Sequence, residues 1–347
     1  MTSVKPPSAE TASAAAERLA ALATPPGALG RLGEAAVWLA AAQGTVPPAP
    51  PSRVRLVIFA GDHGVAQHGV SAFPASITGA MVRSFLAGGA GVSALARAHD
   101  VSVRVLDLGV DDDFADLPDD VRRPLQAHKV RRGSGAIHLE DALTDAEVRA
   151  ALAAGEQVAA EEIAAGADLL ISGDMGIGNT TPAAALVAAG LGLDADAVTG
   201  RGTGLDDAAM EHKRAVIEAA CDRTRTRHDD PVATLTALGS ADLAATTGYL
   251  AAAARAGVPV LLDGLMSVAC ALTADRLAPG AAAWFLAGHR SPEPAQSLVL
   301  DKLGLTPLLD LGMRLGEGSG AVAAVPVLRS AAVLLRDVGL LSDLGPA

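Results

Sequence analysis

About six apolar runs recur along this chain, each closing on a small or glycine-rich loop and separated from the next by helical sequence. The candidate strands are Val54–Ala60, Val101–Gly109, Asp168–Ser172, Ala233–Gly239, Val258–Gly264 and Ala282–Gly288. Most are continuous rather than alternating, as in parallel strands covered on both faces. Helical stretches fall between them at Ala75–Ala98, Asp145–Ala165, Asp206–Arg225 and Asp242–Ala256. This rhythm predicts an α/β fold: an open, doubly wound, mostly parallel sheet of about six strands, with ligands over the strand C-terminal ends.

The ends of the chain follow a different pattern. Ser8–Leu22 and Leu29–Gln43 read as helices, and a proline-rich linker, Val46–Ser52, follows them. From Leu303 the strand pattern stops and helix-like sequence runs to about Arg336. The expected organisation is a small helical domain from residues 1–52 plus 303–347, enclosing a large α/β domain at 53–302. Residues Asp111–Gly135, acidic first and basic later, read as a long excursion or a solvated loop.

Composition narrows the function. A net charge of −12 and only 2% aromatic residues disfavour nucleic-acid binding by a basic surface or by stacking. Cys221 and Cys270 stand apart, without metal or disulfide spacing. The eight histidines include no spaced ligand set, so no metal site is expected. With no signal pattern and no apolar run long enough to span a bilayer, the expectation is a cytoplasmic protein without membrane contact.

The chemistry concentrates in the loops. Gly173-Asp174-Met175-Gly176-Ile177-Gly178-Asn179-Thr180-Thr181-Pro182 follows a strand and opens a helix. Its glycines let backbone N–H groups approach an anion, and the helix start adds partial positive charge. It is neither a Walker A loop nor a full G-x-G-x-x-G, so it reads as a cradle for a phosphorylated small molecule. Absence of that fingerprint after the first strand argues against a dinucleotide-dependent oxidoreductase. Gly200-Arg201-Gly202-Thr203-Gly204 offers a second set of amides before a helix capped by Asp206, with Lys213 about two turns along it. At Gly61-Asp62-His63-Gly64, Asp62 either orients His63 or forms an Asx-turn, the simpler reading. Gly288-His289-Arg290-Ser291-Pro292-Glu293 brings hydroxyl and cationic groups that suit a carboxylate. Glu317, set between Gly316 and Gly318, can be approached closely by a flat ligand; spacing alone leaves solvated and catalytic roles open.

Together these segments resemble the nicotinate-nucleotide–dimethylbenzimidazole phosphoribosyltransferases. The resemblance is carried by Pro25-Pro26-Gly27-Ala28-Leu29-Gly30-Arg31-Leu32, Phe59–Val65, Gly173–Pro182, Gly200–Asp207 and Leu309–Gly318, in the family's order from about residue 24 to 335. It implies a cofactor-free transfer, in making the lower-ligand nucleotide of cobalamin. The phosphoribosyl group of nicotinate mononucleotide passes to 5,6-dimethylbenzimidazole with inversion at C1′, and Glu317 is the general base. By the same resemblance the phosphate sits on Gly176, Gly178, Asn179 and Thr180, with Gly202, Gly204 and Lys213 completing the pocket. Ser291 contacts the nicotinate carboxylate. Met175 and the Phe73–Met81 segment, including both Phe73 and Met81, form apolar walls for the base. Asp174 stands where many members carry Glu, one methylene longer. Similar proteins are homodimers with a Rossmann-like large domain. Another benzimidazole, a purine or a phenol as acceptor would need the same base, and a non-catalytic nucleotide sensor would bind without turnover.

Overall fold

In the computed structural model, which describes residues 3–345, five strands form one wholly parallel sheet. They are β1 (Val54–Gly61), β2 (Val101–Gly109), β3 (Leu169–Met175), β4 (Val260–Leu262) and β5 (Phe285–Ala287). Helices α1 (Ala9–Ala21) and α2 (Gly30–Gln43) precede the sheet. Between β1 and β2 lie α3 (Ile77–Leu86) and α4 (Gly91–Ala98), and between β2 and β3 lie α5 (Asp119–Leu125) and α6 (Asp145–Ala164). The connection from β3 to β4 carries α7 (Thr180–Leu191), α8 (Ala195–Val198), α9 (Asp207–Thr224), α10 (Pro231–Leu238) and α11 (Ala241–Arg255). After β4 comes α12 (Leu265–Leu277), and after β5 come α13 (Pro294–Leu303) and α14 (Ser319–Asp337).

The strand order is β2-β1-β3-β4-β5. The winding reverses between β1 and β3, and such a switch point opens a crevice at the strand C-terminal ends. β1 shows why its sequence is apolar throughout. Val54, Leu56, Ile58 and Ala60 enter one hydrophobic cluster, while Val57 and Phe59 enter the other. Successive side chains point to opposite faces, and both faces are covered. One cover is built on α6, α7, α10, α11 and α12; the other on α1, α2, α4 and α14.

Several expectations change. The run Ala233–Gly239 is not a strand but the helix α10. Asp230 accepts from the Val232 and Ala233 N–H groups and Pro231 sits at the first helical position, so local capping outweighs the apolar run. The sheet therefore has five strands. The Ala75–Ala98 segment is two helices, because α3 ends at Ala87 and Gly88 takes a left-handed φ of +73°. Residues 304–318 are irregular rather than helical: Leu308 and Leu309 donate to Ala287 and Gly288 O, laying the chain along the end of β5.

The Asp111–Gly135 excursion is pinned down. Lys129 Nζ donates to Asp107 Oδ2 at 2.6 Å and to the carbonyls of Val110 and Asp112, and Phe114 is fully buried beneath Arg83. Two segments, Ile77–Ala98 and Ser319–Asp337, reach the length and hydropathy of a membrane span, contrary to expectation. The first is broken at Gly88, and 56% of the apolar window of α14 is buried inside the molecule. The same composition serves a core helix.

Candidate active site

A cavity of about 430 Å³ opens where the C-terminal ends of β3, β4 and β5 meet the loops that follow them. Phe73, Ile77 and Met81, at and before α3, form an apolar wall with Met175, Met266 and Leu315. Asn179, Thr180, Gly202, Thr203, Ser291 and Arg314 supply polar lining. Three carboxyl groups, Asp174, Glu293 and Glu317, also reach it.

Glu317 is held in an unusual backbone. Its φ is +66°, in the left-handed region that non-glycine residues avoid, and Gly316 and Gly318 on either side have φ of +77° and +92°. The loop presses against β3: a Cβ on Gly173 would lie 2.3 Å from the Glu317 carbonyl oxygen. Asp263, at the end of β4, anchors the other side. Its carboxylate accepts from the Gly318, Gly320 and Ala321 N–H groups at 2.8–3.0 Å, capping α14 from across the fold. Burial pushes the Asp263 carboxyl up, but His289, 3.4 Å away, and the amides outweigh it and hold it below the usual range. The Glu317 carboxylate itself takes one protein hydrogen bond among the described residues, from Val92 N–H to Oε2 at 3.2 Å. Burial, with the nearby charge of Asp263, raises its pKa above the ordinary value.

The polar end is built from two loops. Asn179 precedes α7 without a side-chain cap: its backbone is already helical, and its Nδ2 donates to Asp174 Oδ1 at 2.6 Å. Thr180 Oγ1 and the Gly200 carbonyl accept from Lys213 Nζ at 2.8 and 3.0 Å. Lys213 is fully buried, and burial pulls its pKa down while the charge of Glu293 acts the other way. Glu293 Oε1 accepts from Gly202 N–H at 2.8 Å. The carboxylate is packed so closely under this loop that a Cβ on Gly200 would lie 2.0 Å from Oε2.

Of the positions singled out in the sequence, Phe73, Met81, Asp174, Met175, Gly176, Asn179, Thr180, Gly202, Ser291 and Glu317 lie on the cavity wall. Gly178, Gly204 and Lys213 do not. Gly178 packs on Ala66, Gly204 lies beside Arg314, and Lys213 sits beneath Thr180 and Gly202. Asp62 neither orients His63 nor forms an Asx-turn: its Oδ2 accepts from Asp111 N–H, 49 residues away. Arg290 points to Ser297 and Asp310, outside the cavity lining.

A family model described as phosphoribosyltransferase matches residues 4–343. The nicotinate-nucleotide–dimethylbenzimidazole phosphoribosyltransferase of Mycolicibacterium paratuberculosis is 52% identical over 342 residues, 99% of this chain and 96% of the relative. This chain belongs to the nicotinate-nucleotide–dimethylbenzimidazole phosphoribosyltransferase family. The phosphoribosyltransferase of that name from Mycobacterium tuberculosis is 51% identical, over 99% of this chain and 93% of its own. A crystal structure of the phosphoribosyltransferase from Thermus thermophilus superposes with a TM-score of 0.90 at 42% identity, covering 98% of this chain and 99% of that one.

The site of this phosphoribosyltransferase is also built from residues that carried no assigned role in the sequence reading. Asp263 and Glu293 reach the site through backbone amides 55 and 91 residues away, so no local motif reports them. Gln296 donates to the carbonyls of Asp263 and His289 and accepts from Ser291 N–H, tying the ends of β4 and β5 together. The one available signal was Glu293 directly before Pro294, the mark of a helix start.

Proposed function

We propose that this enzyme transfers the phosphoribosyl group of nicotinate mononucleotide to 5,6-dimethylbenzimidazole, releasing nicotinate and forming α-ribazole 5′-phosphate for cobalamin. The observation that carries the reading is Glu317, a buried carboxylate with one hydrogen bond among the described residues, on a cavity whose walls include the apolar side chains of Phe73, Met81 and Met175. A neutral benzimidazole has one N–H and one lone-pair nitrogen. A carboxylate that accepts the N–H selects the tautomer and leaves the other nitrogen free to attack C1′. As the C–N bond forms, the ring becomes cationic, its N–H acidifies, and Glu317 takes the proton. The nicotinate nitrogen is already cationic in the nucleotide, so the C1′–N bond breaks with its electron pair returning to the ring and needs no acid. Positioning and charge placement then supply most of the rate.

The roles of the remaining residues follow from their chemistry. Thr180, Asn179 and the Gly202 loop, with the Lys213 charge beneath them, suit a phosphate. Arg314 reaches the same cavity as a second cation. Ser291 faces the nicotinate carboxylate, and Phe73, Met81 and Met175 flank the incoming base. We read residues 1–52 plus 303–347 as a discontinuous helical unit that carries Glu317 to the large domain, a reading supported by the mutual packing of α1, α2 and α14. The enzyme is read as a cytoplasmic homodimer; an apolar groove of about 810 Å³ between α1 and α2, lined by Leu19, Val37 and Trp38, supports a surface that a second copy covers. Light scattering tests the dimer. Product analysis with nicotinate mononucleotide and a panel of benzimidazoles, purines and phenols tests the reaction. Failure of every base to yield an α-linked nucleotide rejects it, and preference for another base redefines the acceptor.

A further inference from the structure

Behind the cavity wall lies a polar cluster that the transfer chemistry leaves unused. Asp242, on α11, is fully buried, and neither carboxylate oxygen has a hydrogen-bond partner among the described residues. Its Oδ2 lies 3.5 Å from His63 Nε2. His63 is 2% exposed, and neither ring nitrogen makes a hydrogen bond among those residues. Asp174 is an electrostatic neighbour of Asp242; its Oδ1 takes the Asn179 amide, and its Oδ2 has no partner among the described residues.

The backbone is shaped to admit these groups. A Cβ on Gly61 would stand 2.3 Å from Asp242 Oδ1, and one on Gly176 would stand 2.4 Å from His63 Nε2. Gly61 ends β1 and Gly176 follows β3, so both strand ends at the switch point lack a side chain where the acid and the imidazole sit. Two neighbouring carboxylates, both shielded from solvent, cannot both be ionised without a large electrostatic penalty. We propose that Asp174 and Asp242 share one proton, with Asp242 and His63 as positioning residues that keep Asp174 a neutral acid on the cavity wall.

The surroundings agree. Burial and then the Asp242 charge push the Asp174 carboxyl well up, Asp263 on the β4 side adds to this, and only the Asn179 amide opposes it. On α12 the buried Cys270 thiol is pushed up, chiefly by burial, so it adds no charge beside Asp174. His63 lines a second, polar cavity of about 430 Å³ with Asp62, Asp111, Asp112 and Arg132, which gives the shared proton a route to solvent. The role, unlike the proton itself, rests on reading the main cavity as a nucleotide site. A phosphate-bearing, carboxylate-bearing ligand beside Glu293 and Glu317 gains if the third carboxyl is uncharged.

Infrared difference spectra of the full chain, titrated from pH 5 to 9, test this. The wild type is expected to show a protonated-carboxyl C=O band that survives at pH 7 and disappears in Asp174→Asn. Asp242→Asn removes the like charge, so the remaining acid should ionise at least one pH unit lower. His63→Gln removes the imidazole beside Asp242 and should shift the pH at which the band is lost. If the Asp242 variant fails to fold, the Asp174 and His63 variants decide. Nicotinate mononucleotide affinity, measured relative to wild type at each pH, should fall as the band is lost, whereas a purely structural role would change it by one factor at all pH values. Absence of the wild-type band at pH 7, or its persistence in Asp174→Asn, overturns the proposal. Absence of nucleotide binding with the band intact overturns only the reading of the cavity.

Discussion

Replacing Glu317 by Gln isolates the base from the scaffold that presents it. The left-handed backbone is held by the close fit to Gly173 and by the Asp263 bonds to the Gly318, Gly320 and Ala321 amides, none of which involves the Glu317 carboxylate. The Val92 N–H bond to Oε2 can be kept by an amide oxygen of the same reach. The loss is therefore chemical, and general-base removal lowers kcat by about 10²–10⁴-fold, roughly 3–5 kcal/mol of barrier. Nucleotide affinity should change by no more than about threefold, roughly 0.7 kcal/mol.

The pH dependence gives a second, independent readout. Burial raises the Glu317 pKa above 4.5, and only the ionised form accepts a proton, so wild-type kcat should rise with pH through that raised value and then level off. The Gln variant should lack this limb. The same shift means that the folded state holds the Glu317 proton more tightly than the unfolded chain does. Stability falls as pH rises from the ordinary carboxyl range to the raised value, and Gln should match or exceed wild-type Tm at neutral pH. Single-turnover kinetics with product chromatography across pH 4.5–8 measures the rates, and thermal melts over the same range measure the stability. Turnover within tenfold of wild type, or an unchanged acid limb, refutes the base assignment.

Three further outcomes follow from the same geometry. Asp263→Asn weakens the charged cap of α14 and should lower stability by roughly 2–3 kcal/mol in urea melts at pH 7. Because the Asp263 pKa is held below 3.8, that contribution is present above the ordinary value and lost as pH falls through the lowered one, so the gap between variant and wild type should narrow as pH falls below 3.8. Lys213→Met keeps the buried stem but removes the cation beneath Thr180 and Gly200, and calorimetry should show nicotinate mononucleotide binding at least about tenfold weaker. Gly155→Ala places a methyl 1.8 Å from the Ala245 carbonyl where α6 crosses α11, and should cost at least about 1–3 kcal/mol in thermal melts without altering the site.

Much of the site geometry was legible because it is local. The loop Gly173–Pro182 carries its glycines, amide and hydroxyl between a strand and a helix, and the same few residues line the cavity. The Gly316-Glu317-Gly318 triplet marked a carboxylate on permissive backbone, and the structure shows why, with three successive left-handed residues. Where the reading went astray, a local signal was outweighed or overlooked. The Ala233–Gly239 run looks like a strand by apolarity, yet Asp230 and Pro231 start a helix there. Lys213 has helical spacing that suits a ligand contact, but only the fold shows it lying beneath Thr180.

The sequence by itself determined the parallel α/β class, the covered faces of β1 and the loops that gather at the strand ends, because strand burial, helix capping and glycine geometry act over a few residues. Tertiary structure alone decided that Asp263 caps α14, that Glu293 supports the Gly200–Gly204 loop, and that Asp242 meets His63 and Asp174 behind the wall. Those contacts join residues dozens to nearly two hundred positions apart. Their strength comes from a shared low-dielectric interior, which exists only once the chain has closed around it.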